Sequence, residues 1–284
     1  MSTFSLQAAE TSTTIEIKTG RGSHLLSYFD RRGAKGTILY VHGLGTSKRD
    51  FADMCQEPAL DDFRLICYDH PGCNESPSSV DSPDSIDCLV EILEHFVIEL
   101  NLKKLLLVGG SMGGLVALLF AERNPDLITG FVNVEGNLAP EDCLFSRLVV
   151  PHTYQNFERE IFPQIKLELA RRKGAGFANH LKVLEAAEGR SYYAYSFQTV
   201  AYSDGGRLLD RFLDLPVPIF FFYGMENRHL SYLPALRNSR CNLVEFEDAN
   251  HFLFYDAPKA YAEALQTCAI RCQQANASER RNHA

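Results

Sequence analysis

The segment Leu105-Leu106-Leu107-Val108-Gly109-Gly110-Ser111-Met112-Gly113 decides the fold. Its first four residues are continuously apolar, which is typical of a parallel strand buried on both faces. An apolar helical stretch, Leu115 to Glu122, follows. The Gly-x-Ser-x-Gly spacing between them predicts a tight strand-to-helix turn, because its outer glycines remove Cβ atoms that would clash. Such a turn exposes the Ser111 hydroxyl and leaves the Met112 amide unpaired at a helix N-terminus. The alternative is a plain glycine-rich turn.

Short apolar runs on both sides of this segment repeat the strand signature. They are Thr37–Val41, Phe63–Tyr68, Phe131–Val134, Pro216–Tyr223 and Leu243–Phe246. An N-terminal hairpin is predicted over Thr14–Lys18 and Leu25–Phe29, on either side of two glycines. A helix with one apolar stripe is predicted over Ser85–Leu100, with Ser82 or Asp84 as its cap. Alternating buried strands and helices indicate βαβ units and a parallel sheet.

This alternation stops between Gly136 and Leu215, where no buried strand is predicted. Helical patterns over Glu158–Lys173, Ala178–Glu188 and Arg207–Leu213 occupy the interval. The sequence therefore predicts an α/β core formed by residues 1–135 and 216–272, with a helical cap inserted at 136–215. The last helix is expected over Ala257–Cys272, followed by a flexible polar tail at 273–284.

The composition excludes several classes of protein. The chain has 284 residues, of which 45% are hydrophobic and 23% charged, and its formal net charge is −8. This mix argues against a disordered chain, a fibre or a disulfide-stapled miniprotein. The negative charge disfavours nucleic-acid and anionic-membrane partners. No stretch is apolar enough to span a membrane, and Met1–Ser5 lacks the features of a signal peptide. We therefore expect a cytoplasmic protein, as a monomer or a homodimer.

The segment His42-Gly43-Leu44-Gly45 ends the Thr37–Val41 strand. In proteins with the Gly-x-Ser-x-Gly turn, the loop after this strand supplies a second amide to an oxyanion hole. We assign the two amides to Leu44 and Met112, with Gly43 as the alternative to Leu44. His42 is interpreted as a structural hydrogen-bonding residue that shapes the loop.

His251 is the histidine placed to serve Ser111. It lies in Asp248-Ala249-Asn250-His251-Phe252, between the last strand and the last helix, where a base can reach the serine. Five other histidines are expected at the surface. They are His95, His152, His180, His229 and His283.

With these motifs in order, the chain resembles the α/β-hydrolase superfamily. The segment Tyr68-Asp69-His70-Pro71-Gly72-Cys73-Asn74-Glu75-Ser76 is also similar to that family's Asp-x-x-Gly-x-Gly/Asn-x-Ser loop. The resemblance covers residues 14–135 and 216–272. It implies an α/β-hydrolase fold, a mostly parallel sheet of about eight strands flanked by helices, with a helical cap after the sixth strand.

The acid of the expected catalytic triad has two candidate positions. The family's usual place follows the seventh strand, but there this sequence reads Gly224-Met225-Glu226-Asn227, with an amide where an aspartate is usual. The second place is the end of the sixth strand, which holds Glu135. Haloalkane dehalogenases and zearalenone-lactone hydrolases have a glutamate there. A buried glutamate also needs a partner, and a histidine would provide one. We favour Glu135 and keep Glu226 as the alternative.

The resemblance implies a serine hydrolase that cleaves an apolar carboxylic ester or lactone through an acyl-enzyme. Ser111 argues against dehalogenases and epoxide hydrolases, which need an aspartate at that position. A carbon–carbon bond hydrolase and an acyltransferase or thioesterase are alternatives on the same residues. A ligand receptor without turnover is an alternative of another class. No dinucleotide fingerprint or metal-ligand set is present, so no cofactor and no metal are expected.

The insert is expected to control specificity, because its apolar side chains would cover Ser111. The candidates for the pocket or the cap core are Leu144, Phe145, Tyr154, Phe157, Phe162, Phe177, Tyr192, Tyr193, Tyr195, Phe197 and Tyr202. Its basic residues are interpreted as a solvated helix face, with anion binding as the alternative. They are Arg147, Arg159, Arg171, Arg172 and Lys173. Eight scattered cysteines, including Cys268 and Cys272, are expected as free thiols.

Overall fold

The computed structural model describes residues 12–79 and 84–282. Its strands are β1 (Thr13–Thr19), β2 (Gly22–Arg31), β3 (Thr37–Val41), β4 (Arg64–Tyr68), β5 (Leu105–Gly110), β6 (Ile128–Val134), β7 (Ile219–Gly224) and β8 (Asn242–Phe246). They form one sheet in the order β1-β2-β4-β3-β5-β6-β7-β8. β2 is antiparallel to β1 and β4, and the other neighbouring strands are parallel. The predicted α/β-hydrolase sheet, including the N-terminal hairpin, is confirmed.

The helices outside the insert are α1 (Arg49–Ala52), α2 (Ile86–Glu99) and α3 (Met112–Arg123). Those within it are α4 (Ser146–Val149), α5 (Tyr154–Asn156), α6 (Phe162–Arg171), α7 (Ala175–Leu184), α8 (Gly189–Gly205) and α9 (Leu208–Asp214). After β7 come α10 (Leu233–Arg237), α11 (Leu253–Asp256) and α12 (Pro258–Asn282). A π-helical turn, Phe157–Ile161, joins α5 to α6.

The sheet is buried on both faces, as its apolar strands require. In β3, Leu39 and Val41 belong to the hydrophobic cluster that includes α2 and α3. Ile38 and Tyr40 belong to the opposite cluster, which includes α11 and α12. Because side chains alternate along a strand, each continuous apolar run supplies both clusters.

Helix α9 lies within the range assigned to the cap but packs on the core. Its Phe212 ring meets Phe131 of β6 edge to face, and its Arg211 pairs with Glu122 of α3 at 2.5 Å. A right-handed crossover from β6 to the parallel strand β7 needs such a helix on the face of the sheet. The part of the insert that covers the site therefore ends before α9.

Helix α8 was not predicted. Its buried positions hold mainly tyrosine, serine and threonine, so the sequence shows no apolar stripe. The hydroxyls of Ser196, Thr199 and Ser203 donate to carbonyl oxygens four residues earlier, each at 2.8 Å. These bonds allow polar side chains to be buried inside a helix without unpaired groups.

Several predicted helix ends differ from the structure. Helix α2 is capped by Ser85, whose hydroxyl accepts the amide of Cys88 at 3.1 Å. Asp84 instead accepts the Ser191 hydroxyl, and Ser82 lies outside the described residues. Helix α12 continues past Cys272 to Asn282, so a helix occupies most of the predicted flexible tail. Within the described ranges, no helix combines the length and apolarity that crossing a membrane requires.

Candidate active site

Ser111 occupies the turn between β5 and α3 in a strained conformation, with φ 51° and ψ −127°. The Ser111 amide donates to the Val134 carbonyl at 3.0 Å, and the Ser111 carbonyl accepts the Gly114 amide at 2.8 Å. A Cβ atom at Gly113 would lie 2.2 Å from the Val41 carbonyl oxygen. The turn can therefore approach β3 this closely only with glycine at 113, as the sequence motif predicts.

The Gly43–Leu44 loop runs directly beside the serine. A Cβ atom at Gly43 would lie 3.0 Å from the Ser111 Cβ and 3.6 Å from its Oγ. Leu44, Met112 and Ser111 all line one cavity. Met112 is the first residue of α3, so its amide has no partner within the helix. The structure thus brings both residues of the predicted oxyanion hole to the serine.

His42 is fully buried beneath this loop and is held by hydrogen bonds. Its Nε2 accepts the amide of His70 at 2.8 Å, and its Nδ1 lies 2.9 Å from the Gly43 carbonyl oxygen. Because Nε2 is an acceptor, Nδ1 carries the proton and the ring is neutral. Burial lowers the pKa of His42 to about 3, opposed by its bond to Gly43. These contacts agree with the predicted structural role.

His251 and Glu135 form a close pair at the cavity. His251 Nδ1 lies 2.6 Å from Glu135 Oε2, and His251 lines the same cavity as Ser111. The backbone of Glu135 has a positive φ of 44°, and its amide donates to the Phe222 carbonyl at 3.0 Å. Its side chain is only 3% exposed. This geometry places the carboxylate where it can orient the imidazole ring.

Asn227 supports this carboxylate. Its Nδ2 donates to Glu135 Oε2 at 2.7 Å, and the Gly224 amide donates to Oε1 at 2.7 Å. Glu226, the alternative acid, is exposed. The structure therefore brings Glu135, and not Glu226, to His251. In the sequence, Asn227 stands where an aspartate is usual, and this position in the Gly-x-x-Asp pattern already indicates a neighbour of the histidine.

The Asp69 loop is a structural support beside the site. Asp69 is fully buried and accepts the Lys48 amide at 2.7 Å, the Lys48 Nζ at 2.5 Å and the Asn74 side-chain amide at 3.0 Å. Lys48 Nζ also donates to Glu75 at 3.0 Å. The loop thereby fixes the chain just after Leu44, because a buried ion pair with satisfied hydrogen bonds tolerates little displacement.

The cavity lies between the sheet edge and the cap. Of the aromatic and apolar residues predicted for it, Leu144 and Phe145 line the cavity. Phe157, Phe162 and Tyr192 pack against one another in the cap core, with ring centroids 5.1–5.9 Å apart. The cavity wall also holds residues that sequence analysis did not select. They are Tyr40, Thr46, Asp50, Asn137, Asp142, Ser146, His180, Thr199, Phe252 and Phe254.

His180 corrects the expectation of a surface histidine. It is 3% exposed and stacks on Phe252, with ring centroids 4.7 Å apart. Burial and, to a smaller extent, the neighbouring His251 lower the pKa of His180 to about 3. The apolar positions of α7 gave no sign that this polar residue shares their buried face. His95 and His152 are half-buried, His229 is exposed, and His283 lies outside the described residues.

The basic residues of the insert lie away from the cavity. Arg147 pairs with Asp204, Arg159 with Glu160, and Arg171 with Glu168. Arg172 lies over the Phe177 ring at 5.0 Å.

Cys268 and Cys272 are buried on α12. In the described part of the chain, no cluster of three or more His, Cys, Asp or Glu side chains could hold a metal ion.

The fold and this site agree with a known family, whose model, described as the alpha/beta hydrolase family, matches residues 38–264. The chain belongs to the alpha/beta hydrolase family. The superfamily resemblance deduced from the motifs is therefore confirmed.

Several known proteins resemble this chain in sequence or in fold. The 2-hydroxy-6-oxononadienedioate/2-hydroxy-6-oxononatrienedioate hydrolase 1 of Pseudomonas putida is 31% identical over 130 residues, 45% of this chain and 46% of that protein. The match thus spans just under half of that relative. A thermophilic esterase from Thermogutta terrifontis has a TM-score of 0.74 at 21% identity, covering 92% of this chain and 99% of that one. An esterase from Exiguobacterium antarcticum has a TM-score of 0.74 at 14% identity, covering 90% and 99%. These two structures share the fold.

Proposed function

We propose that this protein is a serine hydrolase that cleaves an apolar carboxylic ester or lactone through an acyl-enzyme. The observation that carries the proposal is the 2.6 Å contact between His251 and Glu135, facing the cavity that also exposes Ser111 on its strained turn. A nucleophile, a base and an orienting acid are the minimum set for this chemistry.

The first half-reaction acylates the serine. Glu135 accepts a hydrogen bond from the Nδ1–H group of His251, which leaves Nε2 free to take the proton of the Ser111 hydroxyl. The serine oxygen then attacks the substrate carbonyl carbon, and the oxyanion that forms is stabilised by the amides of Leu44 and Met112. His251 gives its proton to the leaving alcohol, and the carbon–oxygen bond to that alcohol breaks.

The second half-reaction releases the acid. His251 takes a proton from water, the hydroxide attacks the acyl carbon, and collapse of the second tetrahedral intermediate returns the proton to Ser111. Leu144, Phe145, Phe252 and Phe254 contribute an apolar wall to the cavity, which supports an apolar acyl or alkyl group in the substrate. We further propose that the cap controls the choice of substrate.

Labelling and burst kinetics test the reaction. We expect a fluorophosphonate probe to label Ser111 and p-nitrophenyl hexanoate to give a burst of p-nitrophenol, because both need an activated serine. Ser111→Ala should lose both signals, whereas Ser231→Ala, at an exposed serine, should keep them. Absence of label would favour a ligand receptor. Labelling without ester turnover would favour an acyltransferase or a carbon–carbon bond hydrolase.

A series of acyl chains tests the substrate class. We expect kcat/KM to rise from acetate to medium-length esters, because a longer apolar chain buries more surface against the cavity wall. A preference for short polar or for charged acyl groups would contradict the apolar assignment.

A further inference from the structure

One wall of the active-site cavity contains a buried carboxyl group that the proposed reaction does not use. Asp50, in α1, is 1% exposed and lines the cavity together with Tyr40 and Thr46. Its Oδ1 accepts the hydroxyl of Tyr255 at 2.7 Å. The Tyr40 hydroxyl lies close to the serine turn. A Cβ atom built on Gly110 would be only 2.6 Å from the hydroxyl oxygen of Tyr40. Asp50, Tyr40 and Ser111 therefore border the same cavity.

Asp50 differs in its partners from Asp69 and Glu135, two other buried acids near the site. Asp69 pairs with Lys48, and Glu135 pairs with His251. Among the ion pairs of residues 12–79 and 84–282, none includes Asp50. Burial raises the pKa of Asp50 to about 7, although hydrogen bonds from Tyr255 and Thr46 act in the opposite direction. A buried carboxyl without a cation is costly unless it accepts further hydrogen bonds.

The cavity as a whole is unsuited to an anion. It contains a second carboxyl group, Asp142, which accepts the amides of Leu138 and Ala139 at 2.8 Å each. Among the described residues that line the cavity, none is lysine or arginine. A substrate carboxylate would face two carboxyl groups and no fixed positive charge. The relative from Pseudomonas putida is named for a dioate, which carries two carboxylates.

We propose that Asp50 determines specificity by accepting a hydrogen bond from a hydroxyl group at the far end of an otherwise apolar substrate, and that the cavity rejects substrates ending in a carboxylate. This inference rests on the proposed function, because it assigns the substrate of the same site. The inferred substrates differ from those of a hydrolase that acts on dicarboxylates. Asp50 acts as an acceptor through an oxygen that Tyr255 leaves available, since a carboxyl group has several lone pairs.

Three esters of matched length test the proposal by kinetics. They are p-nitrophenyl hexanoate, p-nitrophenyl 6-hydroxyhexanoate and the p-nitrophenyl monoester of adipic acid. We expect kcat/KM for the hydroxyl ester to exceed that for the hexanoate by about tenfold, since one additional hydrogen bond in the cavity has about this strength. The adipate monoester should be the poorest substrate. A carboxylate ester as good as the hexanoate would overturn the proposal.

Variants of Asp50 assign the effect to this residue. Asp50→Leu combined with Tyr255→Phe removes the acceptor without leaving the tyrosine hydroxyl unpaired, and it should abolish the preference for the hydroxyl ester. Asp50→Asn removes the charge and should reduce the discrimination against the adipate ester. Asp53→Asn, at an exposed aspartate three residues away, is the matched control and should change neither ratio. Unchanged ratios in both Asp50 variants would refute the assignment.

A binding measurement separates this proposal from the proposed reaction. In Ser111→Ala, which cannot form an acyl-enzyme, we expect 6-hydroxyhexanamide to bind about tenfold more tightly than hexanamide. Adipic acid monoamide should bind most weakly. If the amides bind in this order but the wild-type protein does not turn over esters, the hydrolase proposal is contradicted and the role of Asp50 is supported. If the wild-type protein turns over esters but binds the three amides equally, only the role of Asp50 is contradicted.

Discussion

At the scale of single residues, one carboxylate determines how the site is assembled. Glu135 receives three hydrogen bonds, from the Gly224 amide, the Asn227 side chain and His251. Two of the donors lie at the end of β7 and in the loop after it, and the third lies in the loop after β8. The carboxylate therefore joins two segments that are distant from Glu135 in sequence. Removing its charge should disturb the tautomer of His251 more than the fold, because glutamine has nearly the same shape.

The first prediction compares two acids. We expect Glu135→Gln to lower kcat by roughly a thousandfold or more with little change in KM, because an amide cannot stabilise the imidazolium. Glu226→Gln is the matched control and should retain most of the activity, since Glu226 is exposed. Steady-state kinetics on p-nitrophenyl hexanoate measure both. A larger loss in Glu226→Gln would reverse the assignment of the acid.

A rescue experiment adds to this prediction. Asn227 Nδ2 and His251 Nδ1 both bond to the same oxygen of Glu135, so an aspartate at 227 would lie near the histidine. We expect Asn227→Asp to restore at least part of the kcat lost in Glu135→Gln, about tenfold or more, by returning a negative charge to the loop. No recovery in the double variant would show that the charge must lie at the end of β6.

At the scale of elements, the cap is attached to the core through the backbone of the Asp69 loop. The amide of Glu188 donates to the Gly72 carbonyl at 2.8 Å, and the amide of Asn74 donates to the Ala186 carbonyl at 3.2 Å. Cys73 and Ala187 form an isolated β-bridge between these bonds. The start of α8 is therefore fixed to the same loop that holds Lys48, close to the proposed oxyanion residue Leu44.

The second prediction concerns this attachment. A Cβ atom at Gly72 would lie 1.9 Å from the Ser191 Oγ, and Gly72 has a φ of 74°. We expect Gly72→Ala to lower the free energy of unfolding by about 2–4 kcal/mol, from steric overlap and backbone strain together. Gly20→Ala should be nearly neutral, because nothing lies within 4 Å of its Cβ position. Urea denaturation of both variants measures the difference, and equal stabilities would contradict the expectation.

The elements show how far sequence reasoning reaches. The strands were predictable because parallel strands are continuously apolar, and the turn at Ser111 was predictable because its glycines follow from steric contact. Helix α8 was missed because hydroxyl groups that bond within the helix replace the apolar stripe. Asp50 and His180 were missed because their proximity to Ser111 depends on how α1 and α7 pack, which the sequence pattern does not encode.

At the scale of the whole molecule, the pH dependence of the free energy of unfolding combines buried titratable groups whose contributions have opposite signs. Burial lowers the pKa of His180 to about 3 and raises the pKa of Asp50 to about 7. The contribution of His180 to stability is complete above its unfolded pKa of about 6.5. This contribution is lost as the pH falls below that value, because the unfolded state then takes up a proton that the folded state does not. The carboxyl group favours the folded state below its unfolded pKa of about 3.9, and this contribution is lost as the pH rises through 7.

The third prediction separates the two contributions. When the pH falls from 7.5 to 5, the free energy of unfolding of His180→Phe should rise by about 2 kcal/mol relative to that of the wild-type protein. The reason is that the unfolded variant no longer takes up a proton at position 180. Asp50→Asn should change in the opposite direction and gain relative stability as the pH rises over the same interval. Urea denaturation at the two pH values provides the measurement. Parallel pH profiles for all three proteins would show that neither group is linked to folding.

We propose that the cap is a separable module whose limits lie at Glu135 and at α9. The chain leaves the sheet directly after this residue and returns to it at α9, which packs against α3 and β6. Recombining caps between family members would therefore succeed when the exchanged piece begins after Gly136 and ends before Leu208. A longer graft would replace Glu135 and helix α9, and with them the His251–Glu135 contact and the packing of α9 on α3 and β6.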